Sequence, residues 1–361
     1  MLTPWVHIIG AGVSGLSLAV ALAQRGSLPG EVLISDPYLD QDRSQTFCFW
    51  YKETERELLK PERSWSQWSF STTGSTSTPL SHLHIGEKYQ YGMVSGDSFR
   101  RRSLKLLKSH PQVRFSKERV THRDQGPHVF DSRPLHRDSY YIQQSFVGFE
   151  LRCQHDYPLN RVALMEEMTH DFGGLRFKYV LPLSEDKLLI EYTVFTIEKL
   201  SLDDLEAFGQ EALEQESLGD WVIERVERAH IPMGIKQSTE MSHLGIPIGT
   251  RAGMARDSTG YGFVEMHKWA QEAANTLIDR NAALRFNTPR IRSWMDSCLL
   301  KLIEHRPELT PELFMTLATK LSGDRFASFM MSCHLSDASQ MMLVSPKRPF
   351  IMAALGKTEW I

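Results

Sequence analysis

Cysteine is scarce in this chain. Four occur among 361 residues (Cys48, Cys153, Cys298 and Cys333), none in a CxxC pair. That spacing excludes a disulfide framework and a structural zinc site of the paired-cysteine kind, and it suits reduced thiols in a cytoplasm. No run reaches the roughly 18 consecutive apolar residues that cross a bilayer, so the chain is expected to be soluble or to rest on a membrane surface. The first apolar run lacks the basic leader and small-residue cleavage site of a signal peptide. A dominant charge sign is missing too. Against 41 Lys and Arg stand 44 Asp and Glu, a net charge of −3 that argues against a generally basic nucleic-acid binder. The 14 histidines show no HExxH or other close ligand spacing, so no metal is expected. There is no GxSxG elbow for nucleophilic hydrolysis and no fixed-period repeat. With 41% hydrophobic and 24% charged residues, disorder is excluded, and the length allows two domains or one elaborated domain.

What is present begins at the N-terminus. The run Trp5-Val-His-Ile-Ile9 reads as a buried parallel strand, and the segment from Leu16 to Gly26 reads as a helix. Between them lies Gly10-Ala-Gly12-Val-Ser-Gly15. Gly10 allows the tight turn, Gly12 lets backbone approach a pyrophosphate, and Gly15 lets helix and strand pack closely. The helix's first N–H groups are unpaired and lie at its positive end, where they suit phosphate. A second strand, Glu31-Val-Leu-Ile-Ser35, ends in Asp36, at the offset from the glycine turn that serves ribose hydroxyls. Together these predict a dinucleotide site. FAD is favoured over NAD, because no second GxGxxG marks a nicotinamide domain and the strand-rich interior is unlike a simple repeating strand–helix dehydrogenase.

Further along, polar and aromatic alternation over 39–95 predicts short antiparallel strands, with a Ser/Thr tract from Ser69 to Thr78. Ser98 to Lys108 reads as an amphipathic helix, and Val113-Arg-Phe and His128-Val-Phe-Asp131 as strands returning to the first sheet. Long β segments then run from Ser145 to Cys153, Arg161 to Met165, Leu175 to Leu181 and Lys187 to Phe195, predicting one antiparallel sheet. A helix is expected near Asp203 to Gln215, and mostly helix from Phe263 to Leu321. The fold class expected is α/β: an FAD-binding Rossmann-like domain over 1–40, 96–140 and 225–285, an antiparallel substrate sheet over 41–95 and 141–224, and a helical part over 286–361.

Several segments carry a resemblance. Gln144-Ser-Phe-Val-Gly148, Met165-Glu166, Arg176-Phe-Lys-Tyr-Val-Leu-Pro-Leu-Ser184 and Leu188-Leu-Ile-Glu191-Tyr-Thr193 closely resemble the flavoprotein lycopene β-cyclases of carotenoid biosynthesis. Thr46-Phe-Cys-Phe49, Val129-Phe-Asp131-Ser-Arg133, Ile231-Pro-Met233, Arg251-Ala-Gly253 and Ser258-Thr-Gly260-Tyr261 are similar to further segments of that family, in the same order. The resemblance implies a fold like that of the flavin monooxygenases. It also implies a redox-neutral isomerisation: a linear ψ end group of lycopene or a related polyene is protonated, the cation closes a six-membered β-type ring, and a ring proton leaves. FAD acts reduced, with NAD(P)H as electron donor, and the apolar substrate implies peripheral contact with the inner face of the membrane from the cytoplasm.

Carried onto this chain, the resemblance places the catalytic acid at Glu191 and a second carboxyl at Glu166, whose neighbour Glu167 competes for the role because adjacent strand residues face opposite ways. An apolar pocket would raise the acid's pKa by disfavouring its charged form. FAD is expected at Gly10, Gly12, Gly15, Asp36, Asp131, Ser258, Thr259, Gly260 and Tyr261, and substrate at Gln144, Phe47, Phe49 and Tyr192. Arg100, Arg101, Arg102, Lys105 and Lys108, beside leucines, suit either anionic headgroups or a solvated helix face. The chain departs from the family at Gln45, Phe47, Ser132, Pro134, Tyr192 and Gly262-Phe263, which leaves room for another polyene or prenyl chain. The competing reading is a flavin monooxygenase or prenyl reductase acting on an isoprenoid. Against it, the Gly-Asp-Ala motif usual in monooxygenases is replaced by Gly253-Met-Ala-Arg-Asp-Ser258. A non-catalytic flavin-binding protein is the third reading.

Overall fold

Val6–Ile9 form β1 in a computed structural model that describes residues 3–41, 45–73, 80–122, 126–134, 140–235, 244–331 and 335–344. The chain turns at Gly10 into α1 (Val13–Ala23) and returns as β2 (Val32–Ser35), parallel to β1. Then come β3 (Thr46–Tyr51), the one-turn α2 (Arg56–Leu59), β4 (Arg63–Trp65), β5 (Gln67–Thr72), β6 (Leu80–Ile85) and β7 (Gln90–Ser95). Through α3 (Gly96–Lys108), β8 (Val113–Ser116) and β9 (His128–Asp131) the chain rejoins the first sheet. Long strands follow: β10 (Tyr140–Cys153), β11 (Arg161–Asp171), β12 (Gly174–Ser184) and β13 (Lys187–Thr196). After α4 (Leu202–Glu214), β14 (Trp221–Ile235) and the short β15 (Ile246–Pro247), the remaining described elements are helical: α5 (Phe263–Arg280), α6 (Arg290–His305), α7 (Thr310–Lys320), α8 (Gly323–Met331) and α9 (Leu335–Val344).

The first sheet is parallel throughout, in the order β15-β9-β1-β2-β8. All four residues of β1 are buried, as a parallel strand requires, and the one polar side chain among them, His7, meets the Ser35 hydroxyl at 2.8 Å. Helix α1 packs on α5 and α3 beside this sheet. Its close seat depends on Gly15, where a Cβ would stand 2.1 Å from the Gly10 carbonyl oxygen.

The second sheet has seven strands, β14-β10-β13-β12-β11-β5-β6, antiparallel except where β5 runs parallel to β11. Strict alternation along β13 sorts its side chains. Leu188, Ile190 and Tyr192 join the cluster under α4, while Leu189 and Phe195 join the opposite core, packed against α6, α7, α8 and α9. A three-stranded sheet, β3-β7-β4, stands between the large ones and supplies Trp50, Trp65 and Tyr91 to that core.

Three expectations change here. Trp221–Ile235, unassigned in the sequence and partly within the range expected for the Rossmann-like domain, is the edge strand β14 beside β10. The C-terminal helices share one apolar core with β5, β11 and β12. On α3, Arg100 is buried and donates to the carbonyls of Ala11, Tyr38 and Leu39, so it is withdrawn from any basic face. Phe99 and Leu107 of the same helix are also buried. Calls falling on 74–79 in the Ser/Thr tract, and on Cys333, lie outside the described residues.

Candidate active site

A cavity of about 1560 Å³ is walled by the C-terminal ends of the parallel strands, by one face of the seven-stranded sheet, and by the loop that enters α5. One part of its wall is polar backbone and charge: Gly10, Ala11, Gly12, Val13, Ser14, Asp36, Arg133 and Arg251. Gly10 has φ +101°, a conformation glycine adopts without strain, and the Ser132 hydroxyl donates to its carbonyl at 3.1 Å. Gly12 caps α1 without any side-chain hydrogen bond, and a Cβ placed there would meet nothing within 4 Å. An uncapped helix N-terminus facing open space is suited to a phosphate. Asp36 accepts from the Ala11 N–H at 2.8 Å and the Tyr38 N–H at 2.7 Å, which holds its carboxylate at the end of β2.

Asp131 does not line the cavity. It is wholly buried and pairs with Arg133 at 2.8 Å and Arg251 at 3.8 Å, both of which do line it. Burial alone would push its pKa up, but the Arg133 hydrogen bonds and the nearby guanidiniums hold it below the usual carboxylate range. It therefore orients the two guanidiniums.

The other part of the wall is aromatic, with Phe47, Trp50, Tyr91, Phe146, Phe177, Tyr179, Phe195 and Tyr261 among its residues. The Tyr91 hydroxyl lies 3.0 Å from that of Tyr179 and 2.8 Å from that of Tyr261. Thr259, Gly260 and Tyr261 arrive on the turn before α5. Gly260 has φ +73°, and a Cβ there would stand 2.8 Å from Ile231 and 3.5 Å from the Gln144 amide oxygen. The turn thus lies directly over β10 and β14, where Gln144 lines the cavity.

Glu191 lines the cavity in mid-strand on β13. Its row across the sheet runs Tyr179, Glu191, Gly148, Glu227. A Cβ on Gly148 would approach the Glu191 Cγ to 2.8 Å and the Glu227 Cγ to 3.1 Å, so glycine between the two strands is what lets the carboxyls meet. Burial pushes the Glu191 carboxyl well above its ordinary pKa. The negative charge of Glu227 and a hydrogen bond between the two side chains add to this, with Arg225 opposing. Glu227 is 3% exposed, accepts from Thr46 Oγ1 at 2.8 and 3.1 Å, and pairs with Arg225 at 3.0 Å. Sequence reasoning missed Glu227, because the mixed charges of Glu224-Arg-Val-Glu-Arg228 carry neither a strand pattern nor a motif.

Besides Asp131, five expected site residues sit elsewhere. Glu166 pairs across from Lys178 on the α4 side of the sheet and accepts from Ser69 Oγ at 3.0 Å; a bulge with Glu167 at φ +54° reorders the strand there. Tyr192 faces the same way, with its hydroxyl donating to Glu216 at 3.2 Å, because its neighbour Glu191 takes the cavity face. Phe49 is fully buried and stacked on Phe263 at 4.9 Å, behind the cavity wall. Ser258 turns inward and donates to Asp296 at 2.7 Å. Gly15 lies in the helix–strand contact described above rather than in the lining.

A carboxyl that keeps its proton within an aromatic wall is a Brønsted acid for an apolar substrate, and the ring faces attract positive charge developing beside them. Among the described residues no group of His, Cys, Asp and Glu is arranged to hold a metal ion.

Comparison with known proteins gives this geometry a lineage. Solved structures of similar fold include a geranylgeranyl bacteriochlorophyll reductase-like protein from Thermoplasma acidophilum (TM-score 0.58, 12% identity, 98% of each chain covered). Another is p-nitrophenol 4-monooxygenase from Pseudomonas putida (TM-score 0.54, 11% identity, 98% of this chain and 97% of that one). A flavin-dependent brominase matches with TM-score 0.52 at 13% identity, over 94% of this chain and 93% of the other. At such identities the likeness is one of fold: that of FAD-dependent monooxygenases and reductases. The lycopene beta-cyclase of Pantoea ananas is 31% identical over 124 residues, and that of a Paracoccus species 30% over 125. Each match spans 33% of this chain and 32% of the relative. The family model described as lycopene cyclase protein matches residues 6–354. With that match running through the glycine turn, the Glu191 strand and the C-terminal helices alike, the chain belongs to the lycopene cyclase family.

Proposed function

We propose that this protein closes a ring at the ψ end of lycopene or a related linear polyene, without net redox change and with reduced FAD bound. The observation that carries the reading is Glu191, a carboxyl whose pKa is pushed well above its ordinary value by burial and by Glu227, in a cavity whose wall also includes an uncapped, glycine-lined helix N-terminus. The residues fit FAD. Gly10, Gly12 and the first N–H groups of α1 would take the pyrophosphate, Asp36 the ribose, and Arg133 and Arg251 would add positive charge beside it. When bound and reduced, FAD supplies an electron-rich group to face positive charge; NAD(P)H is the proposed source of its electrons.

The chain's own part begins with the Glu191 proton. It passes to the terminal double bond of the substrate, the neighbouring double bond closes on the resulting cation, and the ring proton returns to the carboxylate. Atoms and charge balance, and the product is an isomer. Gln144, Phe47 and the tyrosines shape the space and exclude water, so that water does not capture the cation. A substrate of this class dissolves in bilayers, which supports work at a membrane surface. Among the described residues no helix is long and apolar enough to cross a membrane.

The test is anaerobic incubation of the FAD-loaded protein with dithionite or NADPH and lycopene in liposomes, followed by chromatography and mass spectrometry. A product of unchanged mass and shorter-wavelength absorption is expected, reduced at least ~100-fold in Glu191→Gln. Lycopene recovered unchanged with fully reduced flavin would rule it out as the substrate. NADPH consumed in proportion to a product of altered mass would instead establish a monooxygenase or reductase.

A further inference from the structure

We propose that Glu227 is the positioning residue for Glu191: the two carboxyls, meeting over Gly148, share one proton, with the negative charge fixed on Glu227 and the proton on Glu191. This rests on the reading of Glu191 as the acid. The register makes the pair unavoidable, since Glu191 and Glu227 both stand opposite Gly148, on the two strands that flank it. Two carboxyl side chains brought together over one glycine disfavour each other's ionisation, so one of the pair keeps a proton. The surroundings decide which one. Glu227 receives the Thr46 hydroxyl on both oxygens and the Arg225 guanidinium, which is itself anchored on Glu150 at 2.8 Å; each favours charge. Beside Glu191 stand Tyr179 and Tyr261, and Cys48 faces both carboxyls. Burial pushes the Cys48 thiol up, and likewise the Tyr179 and Tyr261 hydroxyls, so all three stay neutral and supply no competing charge. Glu191 is the member of the pair that lines the cavity. Once Glu191 has given up its proton, the charge of Glu227 beside it favours recapture from the ring.

Infrared spectroscopy of the FAD-loaded protein, titrated from pH 5 to 9, reads the pair without turnover. The wild type is expected to show a buried protonated-carboxyl band at pH 7 that is absent in Glu191→Gln. In Glu227→Gln that band should titrate at lower pH, because the repelling charge is gone and Arg225 remains. The alkaline limb of the cyclisation rate should move down with it, the rate at pH 7 falling at least ~10-fold with little change in KM. Glu227→Asp, which keeps the charge, should restore part of the shift. A band that survives in Glu191→Gln, or a limb and band unmoved in Glu227→Gln, would overturn the proposal. If the band behaves as described but the wild type forms no cyclic product, the pair stands and the cyclase reading fails.

Discussion

Glu191 is held against its own stability. Its folded pKa lies above the ordinary value of 4.5, so below that pH both states carry the proton and folding loses nothing. As pH rises past 4.5 the unfolded chain releases its proton while the folded chain keeps it, and stability is lost progressively toward the folded pKa. Glu191→Gln keeps a neutral hydrogen-bonding group and removes this slope. In urea unfolding at pH 5 and pH 8, the variant should gain on the wild type at the higher pH; equal differences at the two pH values would show that Glu191 is not held protonated. At this scale the sequence was legible where one backbone geometry demands one residue. Gly10 and Gly12 can be read from spacing, whereas Glu191 stands out only through the family resemblance that its Leu-Leu-Ile-Glu segment carries. Period-two alternation sends neighbours 191 and 192 to opposite faces, which takes Tyr192 out of the cavity, whereas Phe49 shares the face of Phe47 and is covered there by Phe263. Glu166 was misplaced because a bulge leaves no trace in hydrophobic pattern.

The turn before α5 shows how an element is fixed from outside itself. Arg256 and Asp296 are each 3% exposed and paired at 3.0 Å; Asp296 also takes the Ser258 hydroxyl, and Arg256 donates to the Phe329 carbonyl and stacks on its ring. This buried pair ties the turn to α6 and α8, and so seats Gly260 over Gln144. Asp296→Ala leaves Arg256 buried with its charge uncompensated, a loss of about 3–5 kcal/mol. Chemical denaturation should show that loss, together with weaker flavin retention; a loss under 1 kcal/mol would mean the turn is held by other contacts. Ser-Thr-Gly-Tyr before a helix predicts Ser258 at the cofactor, but the pattern marks a helix entry and not which side chain turns inward, and Ser258 turns to Asp296. Strand β14 was missed for a related reason. An edge strand with mixed charges looks like loop until its partner β10 is known.

Across the whole molecule, the glycine turn of the parallel sheet and the aromatic wall of the seven-stranded sheet line one space. FAD that binds only the folded protein should stabilise it by about 2.7 kcal/mol at a hundred times its Kd. Thermal unfolding with and without FAD checks this, and an unmoved midpoint would argue against the dinucleotide site. The sequence by itself determined the strand–glycine-turn–helix unit, the long antiparallel strands and the absence of a membrane-crossing apolar run, because these depend on local conformation and on periodicity along one segment. Tertiary structure alone decided that Glu227 meets Glu191, that Asp131 serves two arginines, and that Arg100 is withdrawn into the core. Each of these depends on pairing register and on which strand becomes a neighbour, and residues 36 positions apart carry no local signal that a glycine on a third strand lets them touch.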